Sequence, residues 1–418
     1  MTKDKKNVIW NIIGATANAF NSLLFAIVVT RINGINDAGI FTYSFATACL
    51  LYMIGVYAGR TFQVTDISKQ NSDTDYIYHR IITCFIMLFV TIVFVFVKQY
   101  DAYKSSILII LCFFKAIEAF SEAIYAIIQK NNLLYKVGIS MFLKAIIALS
   151  IFFIIDYITK NLIIACLTIV LTNIAILILY DFKNIKKVKI VRTKLCKESV
   201  FRLFKIGFYT FVLTFLGNYL INVSRYAIDD ILSNDLQTIF GIIIMPATLM
   251  GLLGQYIIQP SLTKITANIK NEKYEELKKI IFSLIGIIFV FGILVILVAC
   301  FLEVPVLELV YGIKLNTYFV SMIIIVIGSI LYSLSTILSA ILIAMRRTKG
   351  QAIMYFITSI VATVLSYSLV KRFQIKGASI TYFLTMAIIA TLFLIYVGYN
   401  MKKYKREWKK VENVGENI

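Results

Sequence analysis

The chain has 418 residues, is 60% hydrophobic and carries a formal net charge of +20. At a mean hydropathy of +0.85 it has too little polar surface to cover a soluble domain of this size, which leaves an integral membrane protein. In such a protein a positive balance does not by itself imply nucleic acid, and no nucleic-acid partner is expected; the placement of the charge decides.

The N-terminus, MTKDKKNVIW, leads into a long apolar run with no small-residue cleavage pattern and reads as a retained first span. About 20 apolar residues cross a bilayer core of roughly 30 Å. Twelve runs qualify, at 8–30, 39–60, 78–98, 105–128, 138–158, 161–181, 200–226, 236–259, 280–302, 317–345, 352–370 and 376–400. Continuous runs of this kind fit helices and not the alternating strands of a barrel. The expected fold is therefore an all-α polytopic membrane protein of about twelve helices.

Most of the 42 Lys and Arg residues fall in alternate connections, the set that includes both termini. By the positive-inside rule both termini are cytoplasmic, in a multi-pass protein of the cytoplasmic membrane. The excess charge then faces an anionic inner leaflet, so membrane lipids are expected partners. The longest basic connection, KNIKKVKIVRTKLCKES (183–199), splits the spans six and six. The expected organisation is a six-helix bundle (1–182), a basic cytoplasmic linker (183–199), a second bundle (200–401) and a basic tail (402–418). Stretches 39–62 and 238–262, each the second span of its half, show weak likeness. An even number of spans per half makes such repeats parallel, with a substrate path between them.

The spans are not uniformly apolar. In the first, Asn7, Asn11, Gly14, Asn18 and Asn21 share one face. Amides there suit sugar hydroxyls or a cation, and equally serve as helix–helix glue at about 0.6 kcal/mol per contact. In the fourth, Lys115, Glu118, Glu122, Tyr125 and Gln129 fall within an arc of roughly 80°. Three mid-span charges would cost about 8–10 kcal/mol against lipid, while a dozen Ile, Leu and Phe return only about 4–7 kcal/mol. The stripe must face a wet cavity or partner charges. Lys115 can pair with Glu118, which leaves Glu122 over; Lys144, in the fifth span, is the candidate partner. The stripe is either a transport path or a polar cluster holding the fourth and fifth spans together.

The seventh span repeats the theme with Thr214, Asn218, Asn222 and Arg225, although Arg225 can also snorkel to the outer surface. The eighth holds Pro246, Gly251, Gly254 and Pro260, where a hinge or close packing is expected. Among six scattered Cys no CxxC pair occurs, so neither a disulfide framework nor a metal site is indicated. The only His, His79, reads as lying in a polar loop, and a His-based catalytic centre is not expected. Without a GxxxxGK[ST] loop the chain has no nucleotide-hydrolysing motif. No cofactor is expected beyond a coupling H⁺ or Na⁺, and no enzymatic activity.

The stretch TRINGINDAGIFTYSFATACLLYMIGVYAGRTFQVTDISKQ (30–70) resembles the start of the polysaccharide flippases, the Wzx-type polysaccharide biosynthesis proteins of the MOP superfamily, which also holds the MATE multidrug exporters. Arg31 and Gly34, Gly39 and Phe41, Gly55 and Gly59, then Asp66, Ile67 and Ser68 occupy the family's positions. Thr65 stands where the signature has Arg, and Arg60 lies just upstream. The motif covers about 40 residues, and span count and length extend the likeness to the whole chain.

The resemblance implies two six-helix bundles in a V that work by alternating access. The implied cargo is an undecaprenyl-pyrophosphate-linked oligosaccharide, moved outward for capsule, O-antigen or exopolysaccharide assembly. A polymerase and a chain-length regulator of the same pathway are the implied partners. Lys115, Lys144 and Arg225 would supply charge to the pyrophosphate. Asn11, Asn18, Asn21, Asn218, Asn222, Tyr125, Gln129, Arg31 and Arg60 would line the path, and Glu118 and Glu122 would bind the coupling ion. Alternatives are a MATE-like multidrug or cation antiporter, a flippase for the peptidoglycan precursor lipid II and, from another class, a membrane-embedded polysaccharide polymerase or glycosyltransferase. Three intramembrane cations against two carboxylates weigh against the antiporter.

Overall fold

A computed structural model describes residues 2–65, 71–191, 197–271 and 273–415, with the side chains of Thr61, Thr65 and 406–415 excepted. Asp66, Ile67 and Ser68 of the signature, the Thr65 side chain, Cys196 and part of the 183–199 linker therefore lie outside the described residues.

All regular structure among the described residues is helical. The elements are α1 (Lys3–Ile32), α2 (Ile35–Val56), the short α3 (Gly59–Thr65), α4 (Asp73–Lys98), α5 (Ala102–Lys130), α6 (Leu134–Thr159), α7 (Leu162–Ile176), α8 (Phe182–Ile185) and α9 (Lys197–Ile231). Then follow α10 (Asn234–Ile243), α11 (Met245–Lys270), α12 (Tyr274–Val298), α13 (Val304–Tyr311), α14 (Phe319–Ala344) and α15 (Thr348–Gly415). Single π turns, Leu177–Asp181 and Ala299–Glu303, join α7 to α8 and α12 to α13.

Ten helices among the described residues are long and apolar enough to cross a membrane. Two departures reconcile that number with twelve spans. Every 18-residue window of α5 holds at least three of Lys104, Lys115, Glu118, Glu122 and Lys130, so composition alone passes it over. The long α15 is two helices broken at Gln374, whose φ of 49° and ψ of −127° are not helical. Each half of the chain thus supplies the expected long helices.

The chain divides into two compact units, Met1–Asn218 and Tyr219–Ile418, with the boundary inside α9. In the first unit α2 packs against α4 and α5, and α1 lies along α6. The close approach of α1 and α6 depends on two glycines. A Cβ on Gly14 would overlap the Gly138 carbonyl, and one on Gly138 would overlap the Trp10 carbonyl. The core below them centres on Phe25, Phe41 and Phe152, whose rings meet edge-on or tilted at 4.9 to 6.3 Å. In the second unit α11 packs against α12 and α14, and α14 against α15. The second, third and fourth long helices of each half therefore pack in the same pairwise order, which extends the weak sequence likeness between the halves.

His79 is not in a loop. It lies in the second turn of α4 and is buried against Tyr57, Phe204 and the backbone that carries them. Just upstream, Ser72 and Asp75 form a capping box that starts the helix.

Candidate functional site

Ionisable side chains collect in the first unit along the α5 stripe. Its spacing turns Lys115, Glu118, Glu122 and Tyr125 toward protein, and each finds a partner. Lys115 Nζ lies 2.7 Å from Glu118 Oε2, one helical turn on. Asn18 Nδ2 of α1 donates to the other oxygen, Oε1, at 3.0 Å. The ammonium also sits over the rings of Phe45, Tyr52 and Phe114 at 4.9 to 5.5 Å. Cation and carboxylate are thus neutralised locally, and the aromatic faces replace part of the lost hydration.

Glu122 does not pair with Lys144. Its Oε2 lies 3.5 Å from Arg60 Nε on α3. Lys144 points instead to the π turn after α7, where its Nζ lies 2.7 Å from Asp181 Oδ2; it also donates to Ser121 Oγ at 2.7 Å and Tyr125 OH at 3.0 Å on α5. Ser140 Oγ donates to the second Asp181 oxygen at 2.6 Å and shares a 2.8 Å hydrogen bond with Tyr125 OH. Both charges and all three hydroxyls are satisfied around this one buried group, which meets the condition for stability of an ion pair out of water. The reason for the changed pairing is geometric. An i, i+4 spacing puts Ser140 and Lys144 on one face of α6, and the π turn brings Asp181 to that face.

Asp181, Ser121 and Ser140 are thus site residues that reading single spans passes over. Two signals point to them: the paired spacings Ser121–Tyr125 and Ser140–Lys144, and a lone Asp closing the sixth apolar run. Asp156 is a further buried carboxylate, with Oδ1 accepting from Asn33 Nδ2 at 3.1 Å. Asp156 and Asp181 thus add to Glu118 and Glu122 two carboxylates fully buried in the first unit.

The first-span amides do not converge on one site. Asn7 brackets the start of α6, donating to the Asn132 carbonyl at 3.3 Å and accepting from Tyr135 N–H at 2.9 Å. Asn18 reaches Glu118, and Asn21 is buried beside the aromatic core. Asn11 is half-buried, and Gly14 serves helix contact. Gln129 is half-buried at the end of α5, and Arg31 is exposed in the last turn of α1. Along α9, Asn218 ends the first unit, while Asn222, buried, and Arg225 belong to the second. The four residues of the seventh span thus do not fall in one unit.

In the eighth span the helix is interrupted at Ile244, two residues before Pro246, which takes a first-turn position of α11 where no N–H is needed. Pro260 lies inside α11 without ending it. Gly251 and Gly254 are packing positions, since a Cβ on either would overlap Tyr332 or Ser333 of α14. Of the four residues expected to bend the span, Pro246 alone sits at the break.

No family model matches the chain. It is 25% identical over 310 residues, 73% of its length and 77% of the other's, to the capsular polysaccharide biosynthesis protein CapF of Staphylococcus aureus. In structure it is similar to an inward-facing multidrug resistance MATE family transporter of the MOP superfamily, with a TM-score of 0.73, 12% identity and coverage of 95% of this chain and 99% of that one. It is similar also to the lipid II flippase MurJ in an inward closed conformation, with a TM-score of 0.70, 14% identity and coverage of 97% and 92%. The chain is a multi-pass membrane protein with the fold of the MOP-superfamily transporters.

Proposed function

We propose that the protein is a flippase that carries undecaprenyl-pyrophosphate-linked oligosaccharide units across the cytoplasmic membrane, by alternating access, for assembly of a surface polysaccharide. The observation that carries this reading is a set of paired charges, amides and hydroxyls held at membrane depth in the first unit, on a fold shared with a lipid II flippase. The likeness to a capsular polysaccharide biosynthesis protein over most of the chain favours an oligosaccharide cargo over a drug.

The pairs differ in access, and so in the role proposed for each. Lys144 and Asp181 have side chains only 8% and 1% exposed and are closed by two serines and a tyrosine; they position α5, α6 and α7. Arg60 and Glu122, at 23% and 16%, are the more open pair. A guanidinium can exchange a carboxylate for a pyrophosphate with little change in geometry. Arg60 is therefore the cation assigned to the anionic head of the cargo, with Lys115 next to it along α5.

The test is a deletion strain. Loss of the protein should accumulate lipid-linked repeat units on the inner leaflet and abolish surface polymer, and the wild-type gene should restore both. An unchanged lipid-linked pool would reject the reading. The antiporter reading gains from Asp156 and Asp181, since the imbalance of intramembrane charge that weighed against it does not hold once they are included. Altered drug susceptibility of the same strain, with normal polymer, would favour it. New glycosidic bonds made by purified protein would favour a polymerase.

A further inference from the structure

Glu118, Glu122 and Asp181 each face a cation, so protonating any of them would strand a buried Lys or Arg. Glu303 of the second unit is different. It closes the π turn Ala299–Glu303, and Pro305 follows in the first turn of α13, where no N–H is needed. Both carboxyl oxygens are shielded from solvent, and neither has a hydrogen-bond partner among the described residues. Phe301, Leu302, Val306 and Leu309 around it are exposed apolar side chains. Exposed apolar side chains thus continue to Leu309, six residues or about 9 Å of helix past Glu303, with Glu308 the one acid among them.

The elements packed on this π turn are α12, α13 and α14. The α14 sequence holds no ionisable acid or base other than tyrosine. On α13, Glu308 is committed to the backbone N–H groups of Leu315 and Asn316 at 2.5 and 3.2 Å, and Tyr311 donates to Met245 Sδ at 2.9 Å. On α12 the ionisable residues, ending with Lys278 and Lys279, lie at the opposite end of the helix, and Cys300 on the turn itself is exposed. A carboxylate removed from water with no partner neutralises itself.

We propose that Glu303 is a proton-binding site at membrane depth, held as the neutral acid, and that its loss and gain of a proton gives transport its pH dependence. The second clause rests on the transport reading above; the first does not.

The experiment is carbodiimide labelling of the full-length protein in lipid nanodiscs. Dicyclohexylcarbodiimide reacts with a protonated carboxyl in an apolar setting. The carboxyl oxygen bonds to the carbodiimide carbon, the acid proton moves to nitrogen, and rearrangement leaves an N-acylurea that adds the whole reagent mass. Peptide mass spectrometry should find that adduct at Glu303. Above the titration midpoint labelling should fall about tenfold per pH unit. Glu303→Gln, isosteric with the neutral acid, should retain wild-type thermal stability, lose the adduct and flatten the pH profile of transport. Absence of an adduct at Glu303 while other carboxyls are labelled would overturn the site. Protection by Na⁺ but not by choline at fixed pH would overturn the proton assignment in favour of a metal cation. Labelling at Glu303 with a pH profile unchanged in Glu303→Gln would overturn the second clause alone. Failure of wild type to move any lipid-linked sugar, with labelling intact, would reject the transport reading and leave the proton site standing.

Discussion

The fourth long helix of each half solves one problem in two ways. Both α5 and α14 pack against the second and third long helices of their own half. α5 carries Lys115, Glu118 and Glu122; Lys115 pairs with Glu118 on the same helix, and Asn18 of α1 and Arg60 of α3 reach Glu118 and Glu122 from other helices. α14 has no charged residue, and three of its hydroxyls turn back on their own backbone. Ser329 donates to the Val326 carbonyl at 2.6 Å, and Ser335 and Thr336 to that of Tyr332 at 2.8 and 3.0 Å. A self-satisfied hydroxyl asks nothing of a neighbour except room, so α14 is held by small-residue contact with α11 at Gly251 and Gly254. A charge asks for one particular partner, so α5 fixes which residues of α1, α3 and α6 must meet it. Specific pairing is concentrated in the first unit and shape in the second.

The comparison breaks most readily at Lys144. Lys144→Ala leaves Asp181 buried and unpaired and should destabilise the first unit by about 3–5 kcal/mol, read as loss of folded protein by thermal shift in detergent. The double change Lys144→Met with Asp181→Leu should recover most of that, because it removes both charges together. Recovery of fold without recovery of export would give the pair a part in transport beyond positioning.

Shape in the second unit should cost next most. Gly251→Val would drive a side chain into the Tyr332 ring, for about 1–3 kcal/mol of overpacking by the same assay. An effect near zero would show that α11 and α14 slide freely. Arg60→Gln should leave stability nearly unchanged, because the pair is partly exposed, yet reduce polymer export. Equal loss of fold and export would return Arg60 to a structural role. The smallest effects belong to single neutral contacts. Asn18→Ala, which removes one bond to Glu118, should cost about 0.6 kcal/mol, and Ser329→Ala less, since its bond lies within its own helix.

Much of this was legible in advance. The twelve apolar runs, the face shared by Lys115, Glu118 and Glu122, and the impossibility of that face in lipid all follow from residue spacing and transfer energy. The pairing was not legible. Lys144 and Glu122 are neighbours in a list of charges, but Ser140 shares a face with Lys144, and a π turn brings Asp181 to it. Gly251 and Gly254 look like hinge residues in isolation; the ring of Tyr332 makes them contact residues. His79 looks like a loop residue until the capping box at Ser72 and Asp75 draws it into α4.

Hydropathy and helical periodicity belong to the single span, and each is a sum over consecutive residues. They determine how many helices cross the membrane and which face of each cannot meet lipid. An ion pair joins residues 37 positions apart in one case and 62 in another, Lys144 with Asp181 and Arg60 with Glu122. Whether a carboxylate is paired, as at Glu122, or alone, as at Glu303, depends on which helix is packed against it. The tertiary structure decides that, because only the packed helices bring a particular cation within reach of a particular acid and close it off from water.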